Sequence, residues 1–488
     1  MLNPKKQKNL DINTIDDNYK IIIIGAGITG LSTGLAWTKV FDARKSPVLV
    51  IEKQAVPGGC VSTFAREGYR FDTVQIIPDV SDILNFFDIN IPLVKFQNRY
   101  ARLFLADPLK KKAKIIPVAS DRQSFEEYLF HNYPEDKKQI ALFFDYCTKM
   151  HDELRHLKTE PKLWELIGIL FNCRKIIANS NITYKQFLGK FKFSNREVYE
   201  ILDIFSSFSG LSGNRCASLL TASAMITTLN GSFRPMNGFI QFPQFLRKTF
   251  VKRGGKILLN TTVEKILTDN GKAIGVQLTD GRKIHSDIVV STSDTQHTFG
   301  NMLGYEKLEK TNFQYARKAR NASMSPSAIA IHLGLDDKID LKKLGFDCGY
   351  NVLTTGRESH EQKFDDWENG IHRTSDSCFH FGVISSSALT GGKPNLVIHV
   401  VPVFADKWIE LRKTNYEKYL EEKQKAADFY IQKVEEYMIP GLRGHIKFID
   451  VSTPATYARY IGSPTGSNYD MMPVPGNFGK NRLKHVHQ

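Results

Sequence analysis

This sequence predicts an α/β chain built on a parallel dinucleotide-binding sheet, with a second, discontinuous α+β lobe. Three observations carry that expectation. A β-branched run, Ile21 to Ile24, leads directly into the turn Gly25-Ala26-Gly27-Ile28-Thr29-Gly30. A second apolar run, Val48 to Ile51, ends on the acidic Glu52. Far downstream, Asp269-Asn270-Gly271 and Asp280-Gly281 give two hairpin signals in succession, the mark of a β-meander.

Taken in order, Lys20 introduces a buried strand, and Ile28, Leu31 and Leu35 follow the glycine turn at helical spacing. With the Val48 to Ile51 strand, this forms a β-α-β unit of Rossmann type. From about Leu84 to Phe233 the pattern reads as mostly helical and aromatic, with Phe125 to Tyr133 and Gln139 to Leu157 as its clearest helices. Gly254-Gly255 opens a strand at Lys256 to Leu259. Val263 to Leu267 and Ala273 to Leu278 read as antiparallel strands, and Ile288 to Val290 as a return to the first sheet. Ser327 to Leu335, Cys378 to Ile384 and Leu396 to Val403 read as further strands. Trp408 to Met438 reads as one long amphipathic helix stopped near Pro440-Gly441.

The expected organisation is therefore a polar extension at 1–19 and a dinucleotide-binding part at 20–83. A mostly helical substrate lobe follows at 84–233, then a second dinucleotide-binding part with the meander at 234–300. A substrate sheet with its long helix covers 301–450, and 451–488 return to the first domain.

The chemistry follows from the residue types. In GxGxxG, Gly25 permits a tight turn, Gly27 lets backbone approach a pyrophosphate, and Gly30 lets helix and strand pack closely. Ala26, Ile28 and Thr29 contribute the intervening amides. Glu52 is placed where a carboxylate accepts from ribose hydroxyls. Glu52-Lys53 followed by Gly58-Gly59 gives E-x-x-x-x-x-G-G, the extension of glutathione-reductase-like flavoproteins, so FAD is the expected cofactor. Val263, opening the meander, is expected to meet the adenine through its backbone.

Composition bounds the rest. The chain has 488 residues, 42% hydrophobic and 24% charged, in keeping with a globular protein of more than one lobe. Its six cysteines contain no CxxC pair, so neither a disulfide framework nor a zinc site is suggested, and a reducing, cytoplasmic setting is the simplest reading. No apolar run reaches the length of a membrane span. The net charge of +15 suits an anionic partner. Nothing resembles a nucleic-acid module, so an anionic membrane surface, met peripherally, is the expected partner.

Longer stretches add a family. IIIIGAGITGLSTGLA, EKQAVPGGCVSTF with GYRFDT, RPMNGFIQFPQFL, and VSTPATYARYIGSPTGSNYDMMPVPGNFGKNR together resemble the phytoene desaturase, carotenoid isomerase and retinol saturase family of flavoenzymes. The resemblance implies hydride transfer between flavin and a carbon–carbon bond of an apolar isoprenoid or polyene. Two alternatives stand beside it: an amine-oxidase-type flavoenzyme, and a non-enzymatic prenyl-binding protein like the Rab GDP-dissociation inhibitors. Cys60 in place of the usual Arg argues against the first, and the intact glycine motif against the second. The sequence departs from the family at Val74-Gln75. It also ends at Leu483 to Gln488, where the family adds a strand, turn and helix that close on the flavin. That ending carries an expectation of weakened flavin retention.

No Ser-His-Asp set, paired carboxylate or metal cluster stands out, so no catalytic side chain is assigned. His332 has strand parity that could face a cavity, with a solvent-facing or hydrogen-bonded structural role as the plainer reading. Leu163 to Phe171, followed by Arg174 and Lys175, reads either as an interfacial helix or as a buried core helix, the latter favoured. Lys110, Lys111, Lys112 and Lys114 read as a solvated loop.

Overall fold

A computed structural model describes residues 15–74, 76–97, 99–157, 162–370 and 374–477. Gln75 and the closing residues Leu483 to Gln488, on which two expectations rest, lie outside these.

The first sheet has six strands. Asn18–Ile24 lies at its centre with Val48–Ile51 on one side and Lys283–Ser291 on the other, all parallel. Lys256–Leu258 extends it beyond the Val48 strand, also in parallel. On the far side, Lys272–Leu278 and Val263–Asp269 complete an antiparallel meander with the Lys283 strand. Ile22, Ile23, Leu49 and Val50 have no exposed surface, as a sheet covered on both faces requires. The expected return near Ile288 is present, with Ile288 opposite Ile21 and Val290 opposite Ile23.

The second sheet has seven strands in the order Ile446–Ser452, Ser327–Leu335, Asn395–Val403, His380–Ile384, Tyr350–Thr354, Arg99–Asp107 and Lys112–Ala119. Its two faces serve different cores. Leu103 and Val352 join the aromatic core of the helical lobe. Their strand neighbours Phe104 and Leu353 join the core under the helices Ala405–Thr414 and Tyr416–Tyr437. That split is the period-two alternation of a sheet buried on both sides.

Several expectations need correction. After the end of a short helix, Ser81–Phe86, the 84–233 stretch carries three strands, Leu93–Lys95, Arg99–Asp107 and Lys112–Ala119, before the helical run that starts at Arg122. The last of these is an edge strand carrying Pro117, and its apolar signal is diluted by the lysines. All four lysines are exposed, as read, but only Lys110 and Lys111 lie in the turn, and Lys112 and Lys114 are on the strand. Lys110 bonds Asp107 across the hairpin turn, and Lys114 bonds Glu197. The single helix expected at Trp408 to Met438 is two, broken at Asn415, whose side chain accepts from the Lys418 amide at 3.0 Å and caps the second. Strands at Tyr350–Thr354 and Ile446–Ser452 and the hairpin Thr63–Arg66/Tyr69–Asp72 lacked a legible signal.

The Leu163–Asn172 helix is not a core helix. Trp164, Ile167, Leu170 and Phe171 are each exposed by 59% or more. No helix among the described residues is long and apolar enough to cross a membrane.

Candidate functional site

The β-branched strand ends at Ile24, and the chain turns through Gly25 into a helix, Ile28–Val40, with Gly27 as its N-cap. No side chain caps this helix, so the first-turn amides at Ile28 and Thr29 are left to an outside acceptor. Gly30 sits against the turn. A Cβ there would lie 2.0 Å from the Gly25 carbonyl oxygen, and only hydrogen fits. The second glycine pair braces the first. The Gly58 amide donates to the Ala26 carbonyl at 3.0 Å, and Gly58 and Gly27 form a parallel bridge. Gly58 adopts φ +146° and Gly59 φ +57°, the region that favours glycine. Gly27 and Gly59 approach so closely that a Cβ on Gly59 would lie 3.3 Å from the Gly27 Cα.

Glu52 is 8% exposed and closes the turn from the other side. Its Oε2 accepts from the Ala26 amide at 2.8 Å and its Oε1 from the Gln54 amide at 2.9 Å. Each carboxylate oxygen keeps a second lone pair, which is what two ribose hydroxyls need. The Thr261 amide bonds the Glu52 carbonyl at 2.9 Å, which brings the start of the meander, and so Val263, next to this strand end. The Val263 side chain is core, packed with Ile24 and Ile51. Lys53 is directed elsewhere. Its ammonium leans on the Arg459 carbonyl at 3.4 Å, at the C-terminal end of helix Pro454–Ile461. An open, uncapped helix start, a cradle free of side chains and a carboxylate with spare lone pairs together fit the adenosine pyrophosphate of FAD.

Three contributors were missed by sequence reasoning. Asp72 and Arg234 form a buried ion pair, 3% and 2% exposed at their side chains. The Asp72 carboxylate also accepts from the Thr63 hydroxyl and from the Phe239 amide at 3.1 Å. This pair ties GYRFDT to RPMNGF, two motifs noted for their wording but not for their meeting. Thr292, beyond the last parallel strand, donates to the Ile24 carbonyl at 2.9 Å and fills the space under Gly25. Asp470 accepts from the Thr295 amide at 3.0 Å and hydroxyl at 2.6 Å, anchoring the 463–474 segment to the first sheet.

A cavity of about 360 Å³ opens where the second sheet meets the helical lobe. His380 and Gly382 on one strand, and His399 and Val401 on the next, form its sheet wall. Val74, Ile76 and Ile77 face it from the segment after Asp72, and Phe208 and Ala224 from the helices. Tyr469 lines both this cavity and an adjoining one of about 240 Å³. Tyr469 keeps 47% of its surface exposed.

Its polar groups are neutral. His360 and His380 stack at 3.7 Å between centroids, and His380 Nε2 lies 2.9 Å from the Ser207 hydroxyl. Burial, with neighbouring Lys363 and Arg215, pulls the His360 imidazole down to about 3. Burial and His332 pull His399 down to about 4. His380 is lowered by burial first, then by His360 and Lys363. His332 itself neither faces this cavity nor reaches solvent. It is wedged edge-on against Phe64 and Phe71, with centroids at 5.0 and 5.2 Å.

Comparison with known proteins agrees with this geometry. The family model of flavin containing amine oxidoreductases matches residues 33–419. The chloroplastic prolycopene isomerase of Daucus carota is 28% identical over 482 residues, covering 93% of this chain and 72% of that one. The lycopene-forming phytoene desaturase of a Paracoccus strain is 23% identical, covering 93% and 87%. An oxidoreductase from Methanosarcina mazei has a similar fold, with TM-score 0.59, 17% identity and coverage of 88% and 87%. With the glycine cradle, the carboxylate and the family match in hand, the chain belongs to the FAD-dependent family of flavin containing amine oxidoreductases.

Proposed function

We propose that this protein is an FAD-dependent oxidoreductase acting on carbon–carbon bonds of an apolar isoprenoid or polyene, rather than on an amine. The supporting observation is the cavity. Its walls are apolar apart from neutral imidazoles, hydroxyls and phenols, which suits a hydrocarbon substrate. In this reading Gly25, Ala26, Gly27, Ile28, Thr29 and Gly30 hold the pyrophosphate and Glu52 the ribose. Gly58 and Gly59 admit the flavin half, Val263 meets the adenine through its backbone, and Lys53 steadies the neighbouring helix end. Residues 20–83 and 234–300 form the dinucleotide domain, and 84–233 with 301–450 the substrate domain. The bound flavin supplies the hydride acceptor or donor. The chain's apolar walls exclude water and align the substrate bond.

The test is anaerobic incubation of the flavin-loaded protein with phytoene and with prolycopene. A change in polyene absorbance, with no reaction of primary amines, is expected. Reduction of the flavin by amines but by neither polyene would overturn the proposal.

The same reading places the protein at a membrane surface, since its substrate partitions there. The exposed Trp164, Ile167, Leu170 and Phe171, followed by Arg174 and Lys175, offer an apolar face bordered by cations. Co-sedimentation with vesicles should rise with anionic lipid and fall with salt. Replacing Trp164 and Phe171 together by Ser should abolish it. Unchanged binding by that variant would move the contact to another surface.

A further inference from the structure

We propose that Tyr469 is a specificity-determining residue, a partition between two chambers that sets how long an apolar chain the protein accepts. This inference rests on the larger cavity being the substrate site. Three observations carry it.

The first is a shared wall. The cavity of about 360 Å³ and its neighbour of about 240 Å³ have Phe208, Ala224 and Tyr469 in common, so these three side chains stand between them. Phe205, Leu220, Met471 and Pro473 complete the smaller chamber, an apolar lining with only Ser209 and Thr221 as further polar members. Taken alone, the larger chamber is near the lower end of the roughly 300–1,000 Å³ usual for small-molecule sites. With the smaller one it reaches the middle of that range, and the added space is the more apolar.

The second is how the three residues are held. Ala224 sits within the helix Ser218–Leu229 and moves only with it. Phe208 is clamped edge-on by Tyr100 and Tyr350, with centroids at 5.2 and 5.1 Å. Tyr469 differs. Its amide donates to the Ser325 hydroxyl at 2.9 Å, and the next residue, Asp470, is tied to Thr295, so its backbone is pinned. Its side chain is half-exposed and, among the described residues, its hydroxyl makes no hydrogen bond. A pinned backbone beneath such a side chain leaves a change of rotamer as the available motion.

The third is the space kept for the ring. Gly210 takes φ +70°, and a Cβ there would lie 2.4 Å from Tyr469 Cε2. The ring therefore closes over bare backbone, and any side chain at 210 would push it out of the partition.

The test measures binding of two hydrocarbons to the flavin-loaded protein: phytoene, and neophytadiene, a diterpene of half its length. Binding is read from perturbation of the flavin spectrum. Phytoene should bind more tightly, because the longer chain passes Tyr469 and fills both chambers; this comparison needs no variant to fold. Leu220→Trp, which fills the smaller chamber, should weaken phytoene at least about tenfold, the worth of two buried methylene groups, and leave neophytadiene unchanged. Tyr469→Ala, which removes the partition, should move the ratio of the two affinities the other way, further in favour of phytoene. Flavin content equal to that of the unaltered protein shows that each variant folds. Equal affinity for the two hydrocarbons, equal effects of Leu220→Trp on both, or an unchanged ratio in Tyr469→Ala would overturn the proposal. Failure of both hydrocarbons to bind would instead overturn the apolar-substrate reading on which it rests.

Discussion

At the glycine turn, shape is set by backbone atoms, whereas at the cavity it is set by side chains. Gly25, Gly27, Gly58 and Gly59 bring two stretches of main chain together, and a single Cβ on Gly30 would meet a carbonyl at 2.0 Å. The cavity wall instead takes its form from Phe208, His380, His399 and Tyr469, each on a different element. Gly382 shows the two strategies meeting: the place its side chain would take is filled by the Tyr350 phenol, whose oxygen would lie 2.2 Å from a Cβ there. A backbone-made site tolerates almost no substitution and binds one kind of ligand. A side-chain-made site can be retuned residue by residue. That division suits an enzyme with a fixed cofactor and a substrate class that varies.

The largest effect that would break this comparison is expected at Gly30. Gly30→Val should yield protein with essentially no flavin per chain, measured by absorbance after purification. Full flavin content would mean that the turn yields to side chains as the cavity does. Next comes the buried pair behind the cradle. Arg234→Met leaves the Asp72 carboxylate buried without its cation, and stability in urea should fall by about 3–5 kcal/mol. Adding Asp72→Asn to that variant should recover part of the loss; no recovery would assign the effect to packing.

A smaller effect is expected at Glu52. Glu52→Gln keeps the shape but weakens acceptance from two hydroxyls, and FAD affinity should drop about tenfold in a titration of apoprotein. Unchanged affinity would remove the carboxylate from the site.

The last effect is a pH dependence set by the buried histidines in and behind the cavity wall. His332, at about 4, His360, at about 3, and His399, at about 4, are neutral in the fold. An unfolded histidine titrates near 6.5, so below that pH the unfolded chain binds protons that the native chain does not. Their neutral burial costs nothing above about pH 6.5, and stability falls as pH drops from there towards 4. His332→Leu should flatten that decline between pH 6 and 5 by about 1.4 kcal/mol per pH unit, the contribution of one proton. An unaltered slope would mean that His332 takes up its proton in the native state.

The same contrast explains what could be read from the sequence. The cradle was legible because its chemistry demands neighbours along the chain: strand, Gly25 to Gly30, helix, strand, Glu52. The meander was legible through its Asn-Gly and Asp-Gly turns. Ion pairs and cavity walls have no such local signature. Asp72 finds Arg234 and Ser207 finds His380 across more than 150 residues each. The strand bearing Tyr350 showed no alternation strong enough to stand out, so the part of the wall it builds could not be anticipated. His332 was placed on the right strand, but its aromatic packing depends on Phe64 and Phe71 from a hairpin that went unread. Asn415 interrupted an apparently continuous helical pattern with one capping side chain.

The order of strands in the first sheet also has a bearing on how the chain is made. The Val48–Ile51 strand waits for Lys256–Leu258, and the Asn18–Ile24 strand for Lys283–Ser291, each more than 200 residues downstream. At synthesis rates of roughly 5–20 residues per second, that separation is on the order of ten to forty seconds. Through that interval the emerging β-α-β unit carries unpaired backbone edges on both of its most apolar strands, the arrangement most prone to pairing with a wrong chain. Closing such long loops slows folding as well, because their entropy is lost before the contacts that compensate it form. Soluble yield of this protein should therefore respond to chaperone supply and to slowed translation more strongly than its native stability would suggest.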